Sequence, residues 1–253
     1  MNHNSPWRQS TWNPTSTTEK RQQQPAFAYP PGRFPEHHAK EILRTYGIDT
    51  PRFMWAETAD YATQFANRIG FPVVAKVISP DIYCKSDRDG IETRIEDDGE
   101  LREAFDRFSR AKNFTGILVE ERLGRGVELN VGVAKIDFQN GPAVFLERAR
   151  PFEESRGDRT FRLPVSGNWN VPRMLRELGL LTSLPSEERV QCVNVDELER
   201  LIDRVVELLK EPSAGMEAII LDPVRCVDDR CVVLDARIKF TPDQYAGTLN
   251  GKA

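Results

Sequence analysis

The segment that most constrains the fold is Val73-Val74-Ala75-Lys76-Val77-Ile78, a run of β-branched and small residues interrupted by one lysine. Such a run predicts a strand buried on both faces, where an ammonium loses its hydration and requires an anion. A nucleotide phosphate is the natural partner. An edge strand whose lysine reaches out to water is the alternative that spacing leaves open. Cys84, Lys85, Ser86, Asp87, Arg88, Asp89 and Gly90 then mix donors with carboxylates and end on glycine, as expected of a polar loop laid over a charged ligand.

A chain of 253 residues, 39 % apolar and 29 % charged, has room for one large domain or two modest lobes around a sizeable core. The net charge of −4 gives no reason to expect a nucleic acid partner. No apolar run approaches the roughly 20 residues of a membrane span, and the N-terminus lacks the apolar stretch of a secretory signal. The cysteines, Cys84, Cys192, Cys226 and Cys231, form no CxxC pair, so a cytoplasmic, reduced protein is expected. Cys226 and Cys231 can face each other across a turn, as strand packing or, with a third ligand, as a metal site. All three histidines, His3, His37 and His38, precede residue 40, so everything from the lysine strand onward is expected to work without imidazole.

Residues 1–33 are rich in Asn, Gln, Ser, Thr and Pro and read as a disordered polar tail, with 241–253 as a second tail. Between them, Pro35 opens a helix carrying Ala39, Ile42, Leu43 and Tyr46, and Gly47 closes it. Ala59, Ala62, Phe65, Ala66 and Ile69 mark a second helix, and Leu101, Ala104, Phe105 and Phe108 a third. Gly116–Glu121 reads as a buried strand, Val127 to Val133 alternates as a half-buried one, and Pro142–Leu146 as another. Asn194 caps a long amphipathic helix with Glu197 three residues on, and Ala218–Cys226 and Cys231–Phe240 predict two closing strands. Helices and strands without regular βαβ alternation point to an α+β fold in two lobes, at about 34–115 and 116–240.

The closing strands allow a geometric deduction. If Asp228-Asp229 is a two-residue turn, residues whose numbers sum to 457 lie opposite one another, and Asp222 faces Asp235. Two carboxylates opposed within apolar runs repel unless they share a proton or a hard cation, and Mg²⁺ suits one or two carboxylates plus phosphate oxygens. The alternative is that both strands are half exposed and both aspartates face water.

The segment from Lys76 through Ser79-Pro80-Asp81-Ile82 to Gly90 resembles the nucleotide-binding stretch of the ATP-grasp subunit of the ADP-forming acyl-CoA synthetases. These include the acetate:CoA ligase and succinyl-CoA synthetase relatives, in which Lys-Val-x-Ser-Pro-Asp-Ile leads into His-Lys-Ser-Asp-x-Gly-Gly-Val. Gly126-Val127-Glu128-Leu129-Asn130-Val131-Gly132 is similar to the family's Gly-Val-Glu-Leu-x-Val-Gly. Ile220-Leu221-Asp222-Pro223-Val224 and Leu234-Asp235-Ala236-Arg237-Ile238 are similar to its closing Asp-Ile-Asn-Pro-Leu and Val-Asp-Ala-Arg-Ile. The likeness covers residues 35–240. It implies an ATP-grasp fold whose two α/β lobes clasp a nucleotide, in an ADP-forming acid:CoA ligase. It further implies ATP/ADP and Mg²⁺ as cofactors, a CoA-binding Rossmann-type α subunit as partner, and a small carboxylic acid as substrate. On the same basis Lys76 binds phosphates, Glu120, Glu121 and Glu128 frame the nucleoside, and Asp222 and Asp235 hold Mg²⁺. Lys85, Asp87, Glu154 and Arg162 take part in catalysis. For Glu120 and Glu121 a surface pair of acids is the competing interpretation.

Five departures from the family pattern fall at or around the reaction centre. Cys84 stands where the family has the histidine that relays phosphate, and Asp89 where it has the first glycine of the loop. Glu147-Arg148-Ala149-Arg150 replaces a Gly-Leu-Gly-Gly turn, so backbone cannot approach the ligand there in the same way. Its two arginines are suited to gripping phosphate or to lying in a solvated turn. Leu181-Thr182-Ser183-Leu184-Pro185-Ser186 replaces a Gly-x-Arg-Gly segment, and Ile220 an outer aspartate. These departures keep two alternatives in view: a degenerate, non-catalytic ATP-grasp subunit that structures a larger complex, and a ligase joining a carboxylate to an amine.

Overall fold

The structure, a computed structural model, describes residues 34–82, 90–137, 141–149, 159–163, 169–180, 193–211 and 215–240. Two antiparallel sheets organise them. The first has four strands in the order β1 (Phe53–Ala56), β4 (Gly116–Glu121), β2 (Val73–Ile78) and β3 (Ile91–Ile95). Helices α2 (Ala59–Ile69) and α3 (Asp98–Phe108) cover one of its faces. Both helices start on a side-chain cap: Thr58 accepts from the Tyr61 N–H and Asp97 from the Glu100 N–H. Gly70 ends α2 at φ 88°, a conformation that glycine adopts without steric cost.

The alternation of β2 decides where its lysine goes. Val73, Ala75 and Val77 pack with Ala62, Ala66, Leu101, Ala104 and Phe108 beneath the helices. Lys76 therefore points to the other face, and Ile78 with it. That face is also buried, because Ile78, Leu118 and Phe53 form their own apolar cluster there, so β2 is covered on both sides as the sequence predicts.

The second sheet runs β10 (Ala236–Phe240), β8 (Met216–Val227), β5 (Val127–Asp137), β6 (Gly141–Arg148) and β7 (Arg159–Arg162), with β9 (Arg230–Val233) pairing β8 off this path. Leu129, Val131, Val133, Val144, Leu146, Ile219 and Leu221 line its inner face in one core with α5 (Val195–Lys210) and α4 (Val171–Glu177). Asn194 caps α5 by accepting from the Glu197 N–H. Leu198, Leu201, Ile202, Val205, Leu208 and Leu209 are buried along one stripe of that helix, as their spacing predicts.

The structure corrects several boundaries. β4 pairs with both β1 and β2, so the first lobe runs through Glu121 instead of ending near 115. Helix α1 (Glu36–Thr45) belongs with the second core, through Ala39 and Leu43, although it precedes the first sheet in sequence. What reads as one strand from Cys231 to Phe240 is two, β9 and β10, interrupted at Leu234 and Asp235. β3, β7 and α4 were not anticipated; each is short, four to seven residues, so periodicity gives them little signal.

The register of the closing hairpin is the expected one. Val224 pairs with Val233 and Cys226 with Cys231 on β9, and Leu221 pairs with Ala236 and Ile220 with Arg237 on β10. Cys226 and Cys231 are buried with Sγ atoms 3.2 Å apart, which is strand packing. Among the described residues no three His, Cys, Asp or Glu side chains cluster as a metal site, and no helix is long and apolar enough to cross a membrane.

On the outer face of the second sheet, Gly132 lies opposite Phe145. A Cβ at Gly132 would sit 1.8 Å from the Phe145 ring, so the missing side chain lets the ring lie across β5. Replacing Gly132 by Ala is expected to destabilise the fold by about 1–3 kcal/mol through overpacking, measured by urea unfolding. Combining it with Phe145→Leu is expected to recover part of that loss.

Candidate functional site

Lys76 and Glu120 from the first sheet meet Glu36 and Lys40 from α1, and all four side chains are buried. The Lys76 Nζ donates to Glu36 Oε1 at 2.7 Å and to the Leu234 carbonyl at 2.6 Å, and lies 3.1 Å from Glu120 Oε2. Lys40 Nζ lies 2.9 Å from Glu36 Oε1, donates to the same Leu234 carbonyl at 2.6 Å, and binds Glu120 Oε1. Each ammonium has three donors, and each here meets three acceptors. Two lysines and two glutamates give a formally neutral cluster, which is what allows it to be buried.

Burial by itself would lower the Lys76 pKa. The charges of Glu120, Glu36 and Asp235, with the hydrogen bond to Glu36, outweigh that effect and hold it well above the ordinary lysine range. The cluster joins parts that are distant in sequence: Glu36 and Lys40 come before the first sheet, and Leu234 lies in the break between β9 and β10 of the second. Lys76 is thus held where the two sheets meet, one residue from Asp235.

Around this centre the outer face of the second sheet is read from its register. Glu128, Asn130 and Gly132 alternate with the buried Leu129, Val131 and Val133, so they share the face away from α5. Phe145 and Glu147 lie opposite Gly132 and Asn130, and Phe161 and Arg159 opposite Phe145 and Glu147. Asp222 follows the buried Leu221, and Asp235 precedes the buried Ala236. These two aspartates face each other, with the Asp222 N–H donating to the Asp235 carbonyl at 3.0 Å. Asp222 Oδ2 lies 3.8 Å from Arg237 Nη2. Two opposed carboxylates beside a lysine form an oxygen donor set suited to a hard divalent cation.

Other residues singled out by sequence have partners of their own. Glu121 accepts from the Arg52 backbone N–H at 2.9 Å and binds its guanidinium. Its neighbour Glu120 points the opposite way, into the lysine cluster, as successive strand residues must. Glu128 accepts from Arg225 Nε at 2.9 Å, while Arg225 Nη1 donates to the Leu123 and Gly124 carbonyls. That arginine fastens the connection between β4 and β5 onto the second sheet.

Arg162 is corrected. It lies opposite Val144, a core residue, and so on the helix side of the sheet, one residue out of phase with the outer face. There its Nη2 pairs with Glu177 Oε1 of α4 at 2.9 Å. Hydrogen bonds from Thr160 and then Arg162 hold the Glu177 carboxyl below its usual range. Arg159 is the arginine of β7 that shares the outer face, and it binds Glu147 at 2.6 Å. In this chain β6 therefore continues through Glu147 and Arg148 where the family turns on glycines. Lys85, Asp87 and Glu154, like Cys84, Arg150 and 181–186, lie outside the described residues.

Glu36 and Lys40 escaped the sequence reading. Their signal was an i, i+4 acid–base pair with the lysine next to Ala39, on the buried side of its helix. The histidine expectation also needs correction: His37 lies beside Glu36 on α1, buried, its ring stacked on Trp55 at 5.2 Å. A helix N-terminal to the lysine strand brings imidazole into the structured core.

Residues 30–240 match the ATP-grasp domain. The chain is 34 % identical over 210 residues to the β subunit of the ADP-forming acetate–CoA ligase I of Pyrococcus furiosus, a match covering 80 % of this chain and 90 % of that one. It is 32 % identical over 203 residues to the ADP-forming acetate–CoA ligase II of Archaeoglobus fulgidus, covering 80 % of this chain and 30 % of that longer one. Among solved structures, the dinucleotide forming acetyl-coenzyme A synthetase 1 of Ca. Korarchaeum cryptofilum, in complex with coenzyme A, Ca-AMPCP and HgCl+, superposes with a TM-score of 0.70. Its sequence identity is 29 %, over 82 % of this chain and 93 % of that one.

Removing one charge from the buried cluster leaves its counter-charges unpaired. Lys40→Met is expected to cost about 3–5 kcal/mol in urea unfolding, and a Lys40→Met/Glu36→Gln double variant less than the sum of the two single changes. The pH dependence follows from the raised Lys76 pKa. Its stabilising contribution is complete below the ordinary lysine value of about 10.4 and is lost as pH rises past that value toward the folded-state pKa. Between pH 9 and 11 the unfolding free energy of the unaltered chain is expected to fall more steeply than that of Lys76→Met.

Proposed function

We propose, because the chain belongs to the ATP-grasp family as a β-type subunit of the ADP-forming acyl-CoA synthetases, that its cleft binds ATP and ADP and couples phosphoryl transfer to acyl-CoA chemistry. The observation that carries the proposal is the convergence of Lys76, from the first sheet, on the Leu234 carbonyl next to Asp235 of the second. A cation for phosphate and two carboxylates for a metal meet there from opposite lobes.

In this mechanism Lys76 exchanges one protein acceptor for a phosphate oxygen, since all three of its donors are otherwise engaged. Lys40 keeps Glu36 and Glu120 neutralised during the exchange. Asp222 and Asp235 hold Mg²⁺, which when bound supplies charge neutralisation on the phosphates. Glu120, Glu121 and Glu128 frame the nucleoside, with Arg52 and Arg225 fixing the last two. Lys85, Asp87 and Glu154 act on the transferring phosphoryl group. Phosphoryl transfer asks a protein mainly for positioning and charge stabilisation, and residues of these types supply both.

A partner subunit completes the enzyme. The Pyrococcus relative bears the name of a β subunit, and in the Archaeoglobus relative the matched region is 30 % of a longer chain. We assign to the partner a Rossmann-type fold that binds CoA, and to the assembly a small carboxylic acid as substrate and a cytoplasmic setting. Both curated relatives are ligases by name, so the non-catalytic alternative finds no support in them.

Calorimetric titration with ADP in the presence of Mg²⁺ is expected to give saturable binding, weakened at least tenfold in Lys76→Ala and in Asp235→Asn, and weakened again when EDTA removes the metal. Unchanged affinity in both folded variants would refute this site. With the partner present, ATP formation from ADP, phosphate and an acyl-CoA is the expected activity; its absence alongside intact nucleotide binding would favour the non-catalytic role.

A further inference from the structure

The side-chain Oδ1 of Asn130 is buried and has no hydrogen-bond partner among the described residues. Such an atom is costly, because it has given up water and received nothing in return. Its described neighbours on the adjoining strands supply no donor. On one side, across the β5–β6 ladder, is Glu147, an acceptor already bound to Arg159. On the other side the β5–β8 ladder is irregular: Leu129 pairs with Val224 and Val131 with Leu221, so Asn130 alone spans Asp222 and Pro223. The bulge thus brings a second acceptor, the Asp222 carboxylate, alongside, and Asp222 is in turn opposed to Asp235. Asp222 pairs with Arg237 at the long distance of 3.8 Å.

A row of Glu147, Asn130, Asp222 and Asp235 therefore crosses the outer face, with Arg159 beside Glu147, Arg237 beside Asp222 and Lys76 within the field of Asp235. The residues that flank Asn130 on the two neighbouring strands at this point, Glu147 and Asp222, carry carboxylates, which accept and cannot donate to its Oδ1. Adjacent acceptors repel unless a donor or a cation sits between them. Packing gives no reason for an amide here, because Leu129 and Val131 on either side fill the core and the outer face receives apolar side chains at Phe145 and Ile220.

We propose that Asn130 supplies a third protein oxygen, after Asp222 and Asp235, to the divalent cation of the nucleotide site. This rests on the proposed Mg²⁺–nucleotide function and adds to it a ligand on a different strand. A neutral carboxamide suits the place: it completes an oxygen set for a hard cation without adding a third negative charge to two carboxylates already opposed.

The test uses Mn²⁺ as a paramagnetic probe, its binding to the full chain followed by electron paramagnetic resonance with saturating ADP, in the unaltered protein and in Asn130→Leu, Asn130→Asp and Asp235→Asn. Melting temperatures are taken without metal or nucleotide. Asn130→Leu is expected to weaken Mn²⁺ about tenfold while melting at the same or a higher temperature, because it removes the orphaned oxygen; Asn130→Asp retains Mn²⁺ binding and melts lower without metal. If Asn130→Leu binds Mn²⁺ as tightly as the unaltered chain while Asp235→Asn does not, the role of Asn130 is overturned and the metal site stands. If neither variant changes Mn²⁺ affinity, the metal site itself fails and Asn130 with it. A fall in melting temperature in Asn130→Leu without loss of Mn²⁺ would show a purely structural amide and overturn the proposal.

Discussion

Two ammonium groups and two carboxylates, buried together and sharing one backbone carbonyl, hold this molecule in its working arrangement. Glu36, Lys40, Lys76 and Glu120 draw on α1, β2 and β4, and Leu234 adds the break in the closing hairpin. None of these charges is tolerable alone in such a place, and together they are neutral. Their mutual dependence fixes α1 against the first sheet and the first sheet against the second. It also gives Lys76 a defined position, with its three donors used.

Around that cluster the sheets have divided tasks. The inner face of the second sheet is apolar and packed under α5, which makes it a rigid base. Its outer face carries acceptors in a row and a platform formed by Phe145 and Phe161, whose ring centroids are 6.0 Å apart. Gly132 makes the platform possible by leaving room for the Phe145 ring. A rigid apolar base under a polar face is the arrangement in which charged groups keep their geometry while exchanging partners.

Much of this was legible in the sequence, for reasons that differ from residue to residue. Lys76 stood out because a charge within a β-branched run is improbable unless it has a partner, and the register of the closing hairpin followed from a turn and simple pairing. Helix α5 announced itself by its cap and stripe. Glu36 and Lys40 were harder to see because, on a short helix, a buried ion pair has the same spacing as an exposed one; only tertiary packing shows that the side is covered. Arg162 was misplaced because a resemblance carries a residue type to a position without testing strand parity, and parity sends it to the helix side. The lobe boundary moved because β4 follows α3 in sequence yet returns to the centre of the first sheet, a non-local pairing that no window of residues contains. Asn130 gave no signal at all, since its meaning lies in neighbours contributed by β6 and β8.

The most direct test of the central claim is a crystal structure of the chain with Mg²⁺ and ADP bound. The account predicts Lys76 Nζ within hydrogen-bond distance of a phosphate oxygen, having released one of Glu36, Glu120 or the Leu234 carbonyl, with Lys40 still holding both glutamates and the metal on Asp222 and Asp235. Nucleotide bound while Lys76 retains all three protein acceptors, or bound away from the meeting of the two sheets, would contradict it.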